Sequence, residues 1–173
     1  MADHSLNAIR AAAKAVEEVV LPALDPAHPL AREQAVLVSR TLRLLEQRAD
    51  QTLARNRFEL LQACELAEAV MAPPFDVSPG LVRVLGEAVR TGRALIDSPQ
   101  ARPSQLQAAT TTLGEQVAAL VRTVDSVRPT VMPQLERLVL QKSSVWLDMQ
   151  RAWFLPQGWE PAPEQIPPLD SIL

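Results

Sequence analysis

The sequence predicts an all-α protein: an up-and-down bundle of five or six helices that ends in an extended, proline-rich C-terminal tail. Fifteen prolines stand in tight clusters along the 173 residues, and proline interrupts a helix because it lacks an N–H group and its ring clashes with the preceding turn. Between the clusters, apolar residues recur every three or four positions, as in amphipathic helices. No pair of segments has the pattern of neighbouring strands. The clusters therefore mark the ends of the predicted helices.

Four of the proline-free runs predict single helices, because each carries one apolar stripe. The third helix starts at Ser78 and Pro79, a good N-cap followed by a residue favoured in the first turn, and the fourth is expected to be capped by Ser104. The predicted ranges are about 5–21, 78–98, 104–127 and 134–154. The predicted bundle covers residues 1–155, and residues 156–173, with five of the prolines, form the tail.

The second run, residues 30–72, contains neither proline nor glycine. As one straight helix, residues 30–71 would span about 63 Å at 1.5 Å per residue, which is far longer than the other runs. The apolar pattern weakens between Arg48 and Thr52, so a break or kink is predicted there. The alternative is a single long helix that protrudes from the bundle and meets a partner.

Composition excludes several classes of function. The chain is 47% hydrophobic and 3% aromatic, with a net charge of −3, so it lacks the basic excess of nucleic-acid-binding proteins. One cysteine, Cys64, and two histidines cannot supply an ordinary zinc site or an internal disulfide. No apolar run reaches the ~18 residues of a membrane span, and the N-terminus lacks the order of a signal peptide. We expect a cytoplasmic protein without metal or cofactor.

Signatures of catalysis are missing from the sequence. There is no glycine-rich phosphate loop, no G-x-S-x-G nucleophile motif and no H-E-x-x-H zinc motif. No catalytic residue is therefore assigned, and contact with a partner is favoured over chemistry.

The C-terminal aromatic residues give the best indication of a binding surface. All three tryptophans lie within 14 residues, next to the proline-rich tail, and tryptophan is enriched at interaction hot spots. Trp146 and Trp153 are seven residues apart, hence on one face of the fifth helix, and Phe154 and Trp159 follow. These four residues are predicted to form either a partner surface or the docking surface of the tail.

A second candidate is an anion site made of basic residues. Arginines cluster in the second run, and Lys142 lies on the apolar stripe of the fifth helix. The planar guanidinium of arginine binds carboxylates and phosphates through pairs of hydrogen bonds. A dianionic metabolite or an acidic protein partner could therefore bind here. The stretch LRLLEQRADQTLARNRFE resembles the long helix of all-helical chorismate mutases, although the downstream lysine and the Arg–Glu segment of that pattern are missing. The candidate residues are Arg40, Arg43, Arg48, Arg55, Arg57 and Lys142.

The N-terminal third carries another resemblance. The segment VVLPALDP, followed by HPLAREQAVLVSRTLRLLEQR, is similar to small uncharacterised all-helical bacterial proteins encoded near acyl-CoA dehydrogenases and aminoglycoside-phosphotransferase-like kinases. The similarity covers roughly the first 50 residues and no catalytic motif. It implies an accessory role in the bacterial cytoplasm and transfers no functional residue.

Three hypotheses follow from these observations. The favoured one is a non-catalytic adaptor or accessory protein that acts through protein–protein contact and forms a homo-oligomer. The second is a binder of an apolar or acyl small molecule between helices, because the stripes are aliphatic. The third is a helical enzyme acting on an anionic metabolite through the arginine cluster.

Overall fold

The computed structural model describes residues 4–72, 75, 78–127 and 129–173. Within these ranges the protein is all-α, with six long helices, one helix of three residues and no strand, which confirms the predicted fold class. No helix in the described part of the chain is long and apolar enough to cross a membrane. The helices are α1 (His4–Ala15), α2 (Leu21–Ala23), α3 (Pro29–Arg48), α4 (Thr52–Met71), α5 (Pro79–Asp97), α6 (Pro103–Val127) and α7 (Met132–Phe154).

Contacts group the chain into two compact units, which are described separately. Unit 1 comprises Met1–Gln51 and Gln150–Leu169, and unit 2 comprises Thr52–Met149 and Asp170–Leu173. The boundary expected between the bundle and the tail, between residues 155 and 156, is a different one. It stays a prediction.

The second proline-free run is divided, as the weak apolar pattern indicates. A 3-10 turn at Ala49–Gln51 separates α3 from α4. The predicted break is therefore present, and each of the two helices belongs to a different unit.

Unit 2 contains an aliphatic core. Helices α4, α5 and α6 pack against one another in all three pairs, as short connections between amphipathic helices favour. Gly92 on α5 allows a close approach to α4, because a Cβ there would lie 2.7 Å from Cys64 Sγ. The fully buried larger side chains of unit 2 are Leu60, Cys64, Val70, Leu85, Leu106, Leu113, Leu120, Leu135 and Met149.

Unit 1 is held together differently. Helix α1 packs on α3, but only Ala13 of α1 is fully buried. A π turn at Val16–Val20 continues α1 with one extra residue per turn. Val20 in the π turn is 43% exposed, whereas Glu17 in the same turn binds α3.

Two predicted helix caps have different outcomes. Ser78 caps α5 as predicted, since its hydroxyl accepts a hydrogen bond from the Leu81 N–H. The predicted cap Ser104 is wrong, because α6 begins at Pro103. There the Gln105 side chain accepts from the Arg102 N–H at 2.9 Å, and the Arg102 carbonyl accepts from the Gln105 N–H at 2.9 Å. This reciprocal pair of hydrogen bonds caps the N-terminus of α6 without a serine.

The tail, residues 156–173, contains no α-helix. Its chain makes three 3-10 turns, at Leu155–Gln157, Pro163–Gln165 and Leu169–Ser171. Ile166 and Leu169 are buried, so the tail packs on the protein at these two side chains.

Candidate functional site

The C-terminal aromatic residues separate into inward and outward groups. Trp153 is only 7% exposed and lies in unit 1 beneath Arg48, whose guanidinium carbon is 5.7 Å from the ring centroid. Phe154 and Trp159 are 41% and 63% exposed. Trp153 therefore stabilises the protein's own packing, whereas Phe154 and Trp159 face solvent.

Phe154 and Trp159 line one open groove of about 240 Å³ in unit 1. We call it the aromatic groove, and its residues are Gln150, Arg151, Phe154, Trp159 and Glu160.

The turn after α7 brings Phe154 and Trp159 to the same groove. Gly158 has φ = 73°, in the left-handed region that glycine adopts without strain, and its N–H donates to the Leu155 carbonyl at 3.1 Å. The buried Gln157 donates from Nε2 to the Arg40 carbonyl at 3.2 Å. Hydrogen bonds from two successive residues thus hold the turn that precedes Trp159.

Two of the residues that line the aromatic groove form an ion pair. Arg151 donates to both Glu160 oxygens, at 2.6 and 3.3 Å, in the bidentate geometry that arginine makes with carboxylates. The hydrogen bonds from Arg151 hold the pKa of Glu160 below its usual value. The pair ties Glu160, the residue after Trp159, to the helix that carries Phe154.

The arginines of the predicted anion site bind groups of the protein itself. Arg43 is bidentate with Glu17, at 3.0 and 2.6 Å, and also donates to Glu46 at 2.8 Å. Arg55 donates to Glu59 at 3.0 Å, one turn along α4. Each of these three carboxylates occupies an arginine that could otherwise hold a metabolite.

Two further arginines bind carbonyls at helix ends. Arg48 donates to the carbonyls of Ala152 and Trp153, at 3.0 and 3.1 Å, in the last turn of α7. Arg57 donates to the Ser98 carbonyl at 3.0 Å, directly after α5. A cation at these positions satisfies carbonyls that have no partner within the helix.

The five arginines do not share a target. Arg40, the remaining member, is exposed on α3. Arg40, Arg43 and Arg48 belong to unit 1, whereas Arg55 and Arg57 belong to unit 2. No observation at these arginines supports the predicted anion site. The site stays a prediction.

Lys142 and Trp146 are brought together in unit 2. Both line an open groove of about 200 Å³ formed by α4, α6 and α7. Lys142 is half-buried and Trp146 is 43% exposed. We call this the Lys142 groove, and its other residues are Glu59, Gln62, Ala63, Leu66, Thr110, Gly114 and Ser143.

Metal-ligating side chains do not gather in the described ranges. No group of three or more His, Cys, Asp or Glu residues there is arranged to hold an ion. Cys64 is fully buried, and its burial raises the pKa of the thiol, so the thiolate that would bind a metal or attack a substrate is disfavoured.

Comparison of the chain with protein-family models, with curated proteins and with solved structures found no significant match.

Sequence reasoning missed the residues that shape the aromatic groove. Arg151 and Glu160 are nine positions apart across a turn, a spacing with no periodic signal. Gly158 did carry a signal, because glycine just after a helix commonly adopts the left-handed conformation. That signal indicates a fixed turn, but the partner of each side chain follows only from the folded chain.

Proposed function

We propose that the protein acts by binding a partner protein at the aromatic groove and has no chemistry of its own. The observation that supports this is the exposure of two large aromatic side chains, Phe154 and Trp159, in one groove on a fixed turn. Each aromatic side chain of this kind buries about 150–250 Å² when covered. Rigid aromatic residues that begin exposed lose little entropy on binding and are common anchors of interfaces.

The chemistry of the groove suggests the type of partner. The two charged residues that line the groove, Arg151 and Glu160, are paired with each other, so the surface that the groove offers to a partner is mainly its two aromatic rings. The complement is a segment of another protein that places one large apolar side chain against Phe154 and Trp159. The proposed role is that of an adaptor or accessory protein in the bacterial cytoplasm, which is also what the resemblance of the N-terminal segment implies.

Site-specific crosslinking and affinity measurement test this proposal together. A photo-crosslinking phenylalanine analogue replaces Phe154 in the full chain, which keeps Trp159 and an aromatic ring at position 154. The captured protein is then purified and its affinity for the unmodified chain is measured. Trp159→Ala and Phe154→Ala are each expected to weaken that affinity at least tenfold, as hot-spot truncations do. Leu30→Ala is the matched control, because Leu30 is an equally exposed apolar residue of unit 1, at 67%, and its affinity should not change. Equal affinities for Trp159→Ala and the unmodified chain would overturn the proposal.

Self-association is the second part of the favoured hypothesis. Sedimentation equilibrium of the purified chain measures it directly. If a dimer forms and Trp159→Ala converts it to monomer, the partner at the aromatic groove is a second copy of the chain. A dimer that Trp159→Ala leaves intact places self-association on another surface.

A further inference from the structure

The Lys142 groove joins apolar walls to a single positive charge. Trp146 on α7 forms one wall, and Ala63 and Leu66 on α4 form another. Gly114 on α6 leaves its side of the groove open, since a Cβ there would meet no atom within 4 Å. The groove is therefore a cleft between three helices, with room for part of a small molecule.

Lys142 is the ionisable group in this cleft that the protein leaves without a counterion. Its amine has no hydrogen bond or ion pair with any residue that the structure describes. The other charged residue of the cleft, Glu59, accepts a hydrogen bond from Arg55 Nε at 3.0 Å, so its negative charge is offset by that guanidinium. A half-buried ammonium next to an indole and aliphatic side chains attracts an anion more strongly than an exposed one does.

We propose that the Lys142 groove binds a small carboxylic acid with an aromatic ring or a short alkyl chain. The ring or chain lies against Trp146, Ala63 and Leu66, and the carboxylate accepts hydrogen bonds from Lys142 Nζ. This site is separate from the aromatic groove, and the inference does not depend on the proposed partner binding.

Size and charge restrict the ligand. A cavity of about 150 Å³ accommodates benzene, so about 200 Å³ suits a ring with a short acidic side chain rather than a long acyl chain or a nucleotide. One lysine without an accompanying arginine matches a monoanion. A phosphate dianion usually recruits a fork of arginine donors or a helix N-terminus as well. A carboxylate is therefore the favoured head group.

A nuclear magnetic resonance titration of the full chain tests the proposal. The indole N–H signal of Trp146 is assigned with Trp146→Phe and followed while phenylacetate or its uncharged isostere phenylacetamide is added. A ligand of this size is expected to bind with a dissociation constant of roughly 1–10 mM. Phenylacetate should shift the signal saturably and bind about tenfold more tightly than phenylacetamide, because only the carboxylate forms a charge-assisted hydrogen bond.

Three variants separate the proposed contacts. Lys142→Gln should remove the preference for phenylacetate, and Lys142→Arg should retain it. Gly114→Leu should abolish the binding of both compounds, since the open side of the cleft is then filled, and the remaining signals report that each variant is folded. Trp159→Ala should change nothing here, which keeps the test independent of the aromatic groove.

The opposite results would overturn the inference. They are the absence of a saturable shift at Trp146 as phenylacetate is raised to about 100 mM at constant ionic strength, or unchanged phenylacetate affinity in Lys142→Gln.

Discussion

Glu17 shows how one polar residue organises unit 1. Its carboxylate accepts from Ser39 Oγ at 2.6 Å and from Arg43 at 2.6 and 3.0 Å. Arg43 also donates to Glu46 at 2.8 Å, and Glu46 accepts from Arg10 at 2.7 Å. A series of ion pairs with alternating charges thus joins α1 and α3. Hydrogen bonds from Arg43, and then from Ser39, lower the pKa of Glu17 from 4.5 to about 2.

We expect this carboxylate to make unit 1 sensitive to acid. A folded-state pKa of about 2 against 4.5 in the unfolded chain means that the unfolded state binds more protons between these two pH values. The contribution of Glu17 to stability is therefore complete above about pH 4.5 and is lost as the pH falls towards 2. The difference in free energy of unfolding between the unmodified chain and Glu17→Gln should be largest at neutral pH and shrink across this window.

Urea denaturation at a series of pH values measures that difference. Trp153 and Trp159 belong to unit 1, so fluorescence in a Trp146→Phe background reports on this unit. Glu18→Gln is the matched control, because Glu18 and its partner Lys14 are both well exposed and 3.7 Å apart, and exposed pairs of this kind contribute little. A Glu17→Gln chain that is as stable as the unmodified one at pH 7 would contradict the expectation.

Among the elements, helix ends were predictable wherever proline or a capping side chain determines them locally. Pro29 and Pro79 stand at the first positions of α3 and α5, and Ser78 caps α5. The start of α6 was mispredicted by one residue because Gln105, rather than Ser104, supplies the side-chain hydrogen bond. Which of these two residues supplies the hydrogen bond depends on the backbone geometry around Arg102, and the amino-acid composition does not specify that geometry.

Helix α7 shows why the candidate sites could be predicted only in part. The seven-residue spacing predicts one face for Trp146 and Trp153, yet their exposures are 43% and 7%. The difference arises because Arg48, more than 100 positions away in sequence, binds the carbonyls at 152 and 153 and covers the Trp153 ring. Periodicity identifies a face, but the residues that cover it come from distant parts of the chain.

Gly92 lies at a close contact between α5 and α4 in the core of unit 2, and its substitution tests that packing. In Gly92→Ala the new Cβ would lie 2.7 Å from Cys64 Sγ and 3.3 Å from Leu60 Cδ1. Overpacking of this kind costs about 1–3 kcal/mol, which outweighs the gain of up to ~1 kcal/mol from alanine's helix propensity. Thermal and urea unfolding should show a net loss of about 1 kcal/mol.

Gly86 on the same helix provides the matched control. A Cβ there has only Arg90 Nη1 nearby, at 3.7 Å, so Gly86→Ala should stabilise the protein by about 0.5–1 kcal/mol. Adding Cys64→Ala to Gly92→Ala should recover part of the loss, since the sulfur atom is removed. Stabilisation by Gly92→Ala would show that α4 and α5 separate readily, contrary to the packing described.

At the scale of the whole molecule, the two units differ in the interactions that stabilise each of them internally. Unit 2 has a contiguous cluster of buried aliphatic side chains, and burial of apolar surface contributes about 25 cal/mol per Å². Unit 1 relies on the ion pairs between α1 and α3. It also relies on contacts of its N-terminal segment with residues 150–169. The latter include the hydrogen bonds of Arg48 to the end of α7 and of Gln157 to the Arg40 carbonyl. One unit is therefore continuous in sequence apart from four C-terminal residues, and the other is assembled from two distant segments.

This difference predicts that residues 52–149 fold alone and residues 1–51 do not. A fragment of about 100 residues with its own core exceeds the ~40 residues below which isolated domains need disulfides or metals. Circular dichroism should show a helical 52–149 fragment that unfolds cooperatively on heating. The 1–51 fragment should be largely unfolded, because it lacks the segment that binds Arg48 and Arg40, and a two-helix hairpin alone has little apolar surface to bury. Addition of a 150–173 peptide at high concentration should restore part of its helicity. A 1–51 fragment that melts cooperatively without the peptide would show that the charged pairing of α1 and α3 is sufficient for folding.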